Sequence, residues 1–369
     1  MMNTATAARP HAFRALESAL LHRLDPRVRL DDLGRQKAGT TLVGAGRDLL
    51  ALNGIETRGK TAGEVLGLMM NVRSQGGADF PSLLANVANK RLSDAYAGAP
   101  RTYRLWARRA PDLQDFRPVN VVQLSAAPEL LQVNEHGEIR YGTMTDSGET
   151  YALTTFGRIV SLTRQAIVND DLRAFDRLIS AFAGAAARLE NRTVYAQLTA
   201  NPNMADGVPL FHTSRGNLGT GSGSALQASA LAAGRAAMRA QKGLQGEVLN
   251  IAPAFLIVPG ELEQTAYQLT SHNYVPAKPG DVNEFRAGGR TSLEPVVEPL
   301  LSGLSASAWY LAAAPGACDT VEYAYLAGAE GPRIESRTSF ATDAVEMKCS
   351  LDFAAKAVDY RGLYRGDGA

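Results

Sequence analysis

Histidine is the side chain best suited to acid–base chemistry near neutral pH. This sequence has only five histidines, scattered without the spacing of metal ligands: His11, His22, His136, His212 and His272. His212 lies two residues before Ser214, so the two could be the base and nucleophile of a hydrolase. No G-x-S-x-G motif accompanies them. We interpret His212 as a residue that orders its loop by bonding to the backbone, and a hydrolase using His212 and Ser214 stays as an alternative.

The stretch Gly216–Ser224, GNLGTGSGS, has the glycine content of a phosphate-binding loop. A P-loop also needs a lysine next to a serine or threonine after its last glycine, where it reaches the phosphates. Here Ala225 follows Ser224, so the cation is missing. The sequence therefore predicts a flexible loop. A helix follows it, with Ser224 and Gln227 as a capping box and its end near Gln241.

Two further groups could bind a metal. Asn169-Asp170-Asp171 contains two carboxylates, but adjacent residues point in different directions, and capping of a following helix accounts for them. Cys318 and Cys349 lie far apart with no paired histidine, so we expect two reduced thiols and no zinc site. The sequence therefore predicts no catalytic, cofactor-binding or metal-binding residue, and a protein that is not an enzyme.

The basic pairs Lys90-Arg91 and Arg108-Arg109 form a modest basic region. No stacking aromatics are interleaved with them, as a single-strand binder would need. The sequence has 38 lysines and arginines and 37 acidic residues, for a net charge of +1. Tight nucleic-acid binding needs an excess of cations. We expect solvated or inter-subunit ion pairs here, and a basic DNA-binding accessory protein fits poorly.

At 369 residues, the chain is long enough for two domains and a substantial core. It has no run of about eighteen apolar residues, so no membrane span is expected. The N-terminal residues lack the apolar segment and cleavage pattern of a secretory signal.

The elements that must position these residues are built around one long helix, predicted over residues 171–200. Apolar or small residues recur there in a three-then-four rhythm, which is typical of a helix with one buried face. They are Leu172, Phe175, Ile179, Phe182, Ala186, Leu189, Thr193, Ala196 and Ala200. Pro202 ends the helix, since the residue before a proline avoids helical geometry.

The N-terminal 75 residues predict short helices with narrow apolar faces that would be marginal alone. One carries Phe13, Leu16, Leu20 and Leu24, and a second begins near Leu42 and ends near Gly54. Ser74–Pro81, SQGGADFP, predicts a boundary. Ser82–Tyr96 predicts the next helix.

The remaining patterns are mostly those of β structure. Leu130–Phe156 predicts a meander with turns at Glu135–Glu138 and Asp146–Glu149. Its hairpin is polar on both faces and cannot build its own core, so we expect it either to project into solvent or to lie on another surface, with a neighbouring subunit as the obvious candidate. Phe255–Val258 predicts a buried strand, and Val345–Phe353 alternates strictly between apolar and polar residues.

Several stretches together resemble the major capsid proteins of Mu-like tailed phages, above all the capsid half of prohead protease/major capsid fusion proteins. They are DFPSLLANVANKRLSDAY (Asp79–Tyr96), GRIVSLTRQAIVNDDLRAFDRL (Gly157–Leu178), GAAARLE (Gly184–Glu190) and DGVPLFHTSRGNL (Asp206–Leu218). The resemblance spans roughly residues 75–365.

The resemblance implies an α+β HK97-like capsid fold. Its parts would be an N-terminal arm (76–127), an extended β-hairpin loop (128–156), a peripheral domain (157–204 and 341–369, with a spine helix over 171–200) and a mainly axial domain (205–340). Residues 1–75 would be a helical segment that either acts as a scaffold clipped during maturation, the interpretation we favour at this stage, or stays in the shell.

The implied function is structural: hexamers and pentamers of the chain would close into an icosahedral phage head around double-stranded DNA, contacted non-specifically. The implied partners are the chain itself, a maturation protease, a portal and a decoration protein. The location would be the virion, assembled in the host bacterial cytoplasm, with no membrane and no cofactor. An encapsulin-like cargo shell is the alternative within the same fold.

Overall fold

The computed structural model describes residues 4–71, 79–124, 146–244, 246–271, 292–339 and 344–368. Its helices are α1 (Thr4–Leu24), α2 (Asp32–Arg35), α3 (Leu42–Leu52), α4 (Ala62–Asn71), α5 (Phe80–Ala97), α6 (Arg164–Val168), α7 (Leu172–Thr199), α8 (Ala228–Arg239) and α9 (Glu263–Thr270). Its strands are β1 (Arg108–Arg109), β2 (Val119–Leu124), β3 (Asp146–Tyr151), β4 (Thr154–Leu162), β5 (Leu218–Gly219), β6 (Pro253–Val258), β7 (Glu294–Val297), β8 (Trp309–Ala313), β9 (Val321–Tyr325), β10 (Arg333–Ser339), β11 (Ala344–Ala357) and β12 (Leu363–Gly366). This mixture confirms the predicted α+β class.

The long helix α7 confirms the central prediction to within one residue at each end. Its 28 residues make a rod of about 42 Å. Of the three predicted capping residues, only Asp171 caps it, by accepting a hydrogen bond from the Ala174 N–H at 2.9 Å. Asn169 instead ends α6, and Asp170 adopts a positive φ of 55° and faces other partners.

The chain divides into two compact units. The first consists of Met1–Pro100, Thr155–Arg188 and Gly328–Asp352, as far as these ranges are described. Its apolar core is shared by α1, α3, α4, α5, α6, the first half of α7, β10 and the beginning of β11. β10 and β11 are antiparallel, in register from Arg333 opposite Ser350 to Ser339 opposite Ala344. The predicted N-terminal helices are therefore present, but they belong to a larger core.

The second unit consists of Arg101–Thr154, Leu189–Ala327 and Phe353–Ala369, as far as described. Its main sheet has the strand order β5-β12-β8-β6-β7, with α8 and α9 packed around a core that includes Trp309 and Leu311. β9 pairs in parallel with β1 and antiparallel with the end of β11. The predicted strand Phe255–Val258 is confirmed as part of β6.

The predicted strand Val345–Phe353 is confirmed within β11, but its alternation of burial is only partly right. Glu346 is half-buried and Lys348 is exposed, as expected for an outward face. Ser350 and Asp352, predicted on the same face, are buried. Asp352 accepts a hydrogen bond from the Thr155 hydroxyl at 2.6 Å, so a polar partner makes its burial tolerable.

The predicted turn at Asp146–Glu149 is wrong. These residues lie in β3, which pairs antiparallel with β2 from Leu124 opposite Asp146 to Val119 opposite Tyr151. Pairing with β2 along all six residues of the strand outweighs the local turn preference of Asp, Ser and Gly. The other predicted turn, Glu135–Glu138, lies outside the described residues, as do most of the predicted extended loop, His136 and His272.

The predicted capping box of α8 is also wrong. The helix begins at Ala228, and the preceding Gln227 makes no side-chain cap. Ser224 lies too far upstream, and its hydroxyl donates to the Gly221 carbonyl at 2.7 Å to close a separate turn. The stretch Gly216–Ser224 is not all loop either, since Leu218–Gly219 forms β5 beside β12.

Candidate functional site

The His212–Ser214 pair comes together as its spacing suggested. His212 Nδ1 lies 2.7 Å from Ser214 Oγ and accepts the Ser214 N–H at 3.2 Å, which caps the short turn Thr213–Arg215. The His212 N–H in turn donates to the buried Asn217 side chain at 3.1 Å. Both His212 and Ser214 are exposed. The contact to the Ser214 N–H supports a loop-ordering role, and the Ser214 hydroxyl is a second partner of the same Nδ1.

The predicted basic region resolves into ion pairs within the chain. Arg91 Nε lies 2.8 Å from Asp176, and Lys90 Nζ lies 2.6 Å from Glu17. In the other unit, Arg108 pairs with Asp319, and Arg109 pairs with Asp112 at 3.0 Å. These cations are neutralised locally, so neither pair forms a cationic surface for nucleic acid.

The two cysteines are free thiols, as predicted. Burial raises the pKa of Cys349 to about 11, so this thiol is protonated and a poor nucleophile at neutral pH. In the described part of the chain, no three His, Cys, Asp or Glu side chains gather as a metal would require. Over the same residues, every helix is too short or too polar for a bilayer crossing.

A buried polar network around Glu190 was missed by the sequence reasoning. Glu190, in α7, has no exposed surface and accepts hydrogen bonds from the Tyr103 and Tyr325 hydroxyls at 2.9 and 3.1 Å. The Arg101 guanidinium lies 4.0 Å from it. Burial, reinforced by the nearby Glu190 carboxylate, raises the pKa of Tyr103 well above its usual range. The Tyr103 phenol therefore stays protonated and acts as a donor to Glu190.

A second buried hydrogen-bond network lies in the same unit. Trp106 Nε1 donates to Tyr195 Oη at 3.1 Å, and the Tyr195 hydroxyl donates to Thr102 Oγ1 at 2.9 Å. Thr102 in turn donates to the buried Glu298 carboxylate at 2.5 Å. Among these four side chains, Trp106, Tyr195, Thr102 and Glu298, each is thus hydrogen-bonded to the next, as a stable interior requires. The network holds these side chains in place.

The β2–β3 hairpin is tied to its own unit by Glu149. This carboxylate is buried, accepts the Ala205 N–H at 2.6 Å and lies 3.5 Å from Lys356 Nζ. Tyr151 and Leu153, which follow Glu149 in the sequence, pack with Ala324 in a small apolar cluster. The hairpin is therefore anchored at its middle and at the end remote from residues 125–145, since Glu149 lies opposite Val121 and Tyr151 opposite Val119.

Strand β4 is the most exposed long strand of the first unit. Of its nine residues only Leu162 is buried, and Phe156 is half-buried. Ile159 is 53% exposed and Val160, on the opposite face, is also exposed. Adjacent exposed β-branched apolar residues on a strand are typical of surfaces that pair with another chain.

Residues 148–366 match the family model described as phage capsid protein. The chain belongs to the phage capsid protein family. The match begins in β3 and continues through α7 to the last strand, so it includes most of the second unit. The match favours a phage capsid over an encapsulin-like shell.

This capsid protein also shares weak likeness with solved structures. A chain from Mycobacterium phage Adephagia is 13% identical, with 70% of this chain and 83% of that one covered and a TM-score of 0.44. The procapsid of bacteriophage JBD30 gives 15% identity, 76% and 72% coverage and a TM-score of 0.39. The holo-SrpI encapsulin complex from Synechococcus elongatus PCC 7942 gives 13% identity, 74% and 89% coverage and a TM-score of 0.43. No curated protein sequence matches the chain. Because these structural similarities are weak, the assignment to the phage capsid protein family rests on the family-model match alone.

Proposed function

We propose that this capsid protein is the major subunit of a tailed-phage head. Copies of the chain assemble into hexamers and pentamers, and these close into an icosahedral shell around double-stranded DNA. The observation that carries the proposal is the family match over residues 148–366. Heterologous contacts repeated between identical subunits can build such a closed shell without any catalytic step.

The proposed fold is HK97-like, with α7 as the spine helix of the peripheral domain and residues 205–340 as the main part of the axial domain. Residues 76–127 are the proposed N-terminal arm. The extended loop is proposed over residues 128–156, with the paired strands β2 and β3 as its base. The anchoring of that base by Glu149 supports a loop that reaches outward from a fixed point.

Two further properties support a shell subunit. The exposed apolar residues of β4 are available for contact with a second copy of the chain. The net charge of +1 suits a container wall, because a strongly basic lining would hold packaged DNA through many phosphate contacts. Both properties are expected of a protein whose partners are its own copies.

The finer assignment is a Mu-like phage, on the strength of the sequence stretches in α5, α6 and α7. The proposed partners besides the chain itself are a maturation protease, a portal and a decoration protein. The proposed location is the virion head, with assembly in the cytoplasm of the host bacterium.

The test of this proposal replaces residues 125–145 with Asn-Gly. This two-residue turn suits the ends of β2 and β3, because Leu124 lies directly opposite Asp146. We expect the variant to unfold at the same temperature as the unaltered chain but to form no closed shells in sedimentation and electron microscopy. A control replaces the same residues with a Gly-Ser linker of equal length, which preserves chain length but removes the side chains that would contact a neighbour. Closed shells from either variant would count against the extended-loop assignment.

A further inference from the structure

The N-terminal segment shares its core with elements far along the chain. Fully buried side chains of this segment include Leu16 of α1, Leu42 of α3 and Val65 of α4. They belong to one apolar cluster with α5, α6 and the first half of α7. We call residues 4–71 the N-terminal lobe. Removing it would expose the apolar faces that it covers, at a free-energy cost that grows with the area exposed.

Asp170 joins this lobe to the start of α7. The Arg23 guanidinium donates to both carboxylate oxygens of Asp170, at 2.5 and 3.3 Å, and the Leu42 N–H donates to Oδ1 at 2.7 Å. Arg23 also donates to the Thr40 carbonyl at 2.6 Å. One carboxylate thus binds the end of α1 and the first residue of α3. Such bidentate, charge-assisted hydrogen bonds are among the strongest polar contacts in proteins.

The backbone of Asp170 adopts an uncommon conformation at the point where it makes these contacts. Its φ of 55° lies in the left-handed region, which non-glycine residues adopt at some cost. Strain of this kind persists where the surrounding contacts over-determine it. The contacts of Asp170 to the lobe meet that description.

Arg91 of α5 makes a second ionic connection. Its guanidinium lies 3.5 Å from Asp25, at the end of α1, and 2.8 Å from Asp176 of α7. Lys90 beside it pairs with Glu17 of α1 at 2.6 Å. The basic residues of α5 therefore bind acidic residues of the lobe.

We propose that the N-terminal lobe is a docked structural part that stays with the subunit, with Asp170 as its anchor. A cut of the chain between residues 71 and 79 leaves the lobe bound, because both the apolar core and the ionic contacts are non-covalent. This favours retention of the lobe in the mature particle over its loss as a clipped scaffold. The inference concerns the folded subunit and stands whether or not the chain forms shells.

The test inserts a specific protease site between residues 71 and 79 of the full chain and cuts the purified protein to completion, as checked on a denaturing gel. We expect the two pieces to co-elute in gel filtration at physiological salt. Separation of the pieces under these conditions would overturn the proposal.

The variant Asp170→Asn tests the anchor role of Asp170 specifically, and Asp171→Asn is its matched control. Asparagine tolerates positive φ and also caps helices well, so each change removes a charge with little backbone penalty. We expect Asp170→Asn to raise the dissociation constant of the cut lobe about 10- to 100-fold, the range for charged hydrogen bonds. Asp171→Asn should leave it unchanged, since Asp171 caps α7 alone.

A double-variant cycle tests the pairing itself. Arg23→Gln should weaken lobe binding in the same direction, and adding Asp170→Asn to it should cost less than the sum of the two single changes. Equal losses from Asp170→Asn and Asp171→Asn, or additive losses across the cycle, would contradict the anchor role of Asp170.

Discussion

The two halves of α7 are buried by different chemistry. In the half that belongs to the first unit, Phe175, Ile179 and Phe182 are buried among other apolar side chains. In the half that belongs to the second unit, the buried residues include Glu190, which accepts two tyrosine hydroxyls, and Tyr195, which joins Trp106 to Thr102. One helix therefore begins in a hydrocarbon core and ends among polar networks.

The difference determines which changes each half tolerates. Apolar packing is non-directional, so a side chain of similar volume can replace another at small cost. A buried polar network depends on every partner, and losing one member leaves the others desolvated without a hydrogen bond. The first half should thus be sensitive to charge and volume, and the second half to single polar atoms.

The largest effect is expected from Phe182→Asp. Phe182 is buried in the apolar core of the first unit, so a carboxylate there would be desolvated, and such a substitution costs several kcal/mol. We expect the first unit to lose its cooperative unfolding transition in circular dichroism and calorimetry. Ser180→Asp, on the exposed face of α7, is the control and should unfold like the unaltered chain. A normal transition for Phe182→Asp would show that this face of α7 is not packed as described.

Glu190→Ala should have the next largest effect. It removes the acceptor that the Tyr103 and Tyr325 hydroxyls share and the carboxylate 4.0 Å from Arg101, at a cost of about 3–5 kcal/mol in the free energy of unfolding. Glu190→Gln keeps one carbonyl acceptor and should cost less, about 1–3 kcal/mol. Urea unfolding measures both values. A loss below 1 kcal/mol for Glu190→Ala would contradict the role of this network.

A milder pair of changes compares the two halves directly. Tyr195→Phe keeps the ring but removes the acceptor of Trp106 Nε1 and the donor to Thr102, and should cost about 1–3 kcal/mol. Ile179→Leu conserves volume in the apolar half and should cost less than about 1.5 kcal/mol. The same urea experiment ranks them. If Ile179→Leu lowered the free energy of unfolding more than Tyr195→Phe, the polar half of α7 would not be the half that is more sensitive to single polar atoms.

Sequence reasoning predicted the apolar half of α7 well and misplaced the polar half. The three-then-four rhythm identified Phe175 through Ala186, because apolar residue type and burial coincide there. Further along, it chose Leu189, Thr193, Ala196 and Ala200, which are half-buried or exposed. The residues buried instead are Glu190, Asn191, Val194, Tyr195 and Leu198.

The cause of that shift is non-local. Glu190 is buried because Tyr103 and Tyr325, distant in sequence, supply its hydrogen bonds. One local signal was available: Glu190 follows the buried Ala187 by three residues and precedes the buried Val194 by four, which continues the buried face. The wrong prediction of a turn at Asp146–Glu149 has the same cause, because the pairing of these residues with β2 depends on residues more than twenty positions earlier in the chain.

Among the candidate residues, the sequence spacing predicted only contacts between residues that are close in the sequence. The closeness of His212 to Ser214 and its loop-ordering role followed from two residues of separation. The contacts of Asp170 to Arg23 and Leu42 cross more than a hundred residues, and no motif indicates them. The acidic run therefore indicated the cap that Asp171 makes, but not the contacts of Asp170 to the N-terminal lobe.

The most direct test of the capsid account is electron microscopy, with sedimentation, of the chain expressed alone and with the neighbouring genes of its phage. The account predicts closed shells, or hexameric and pentameric rings, in at least one of these preparations. A folded chain that remains a monomer or a small uniform oligomer in both would contradict it.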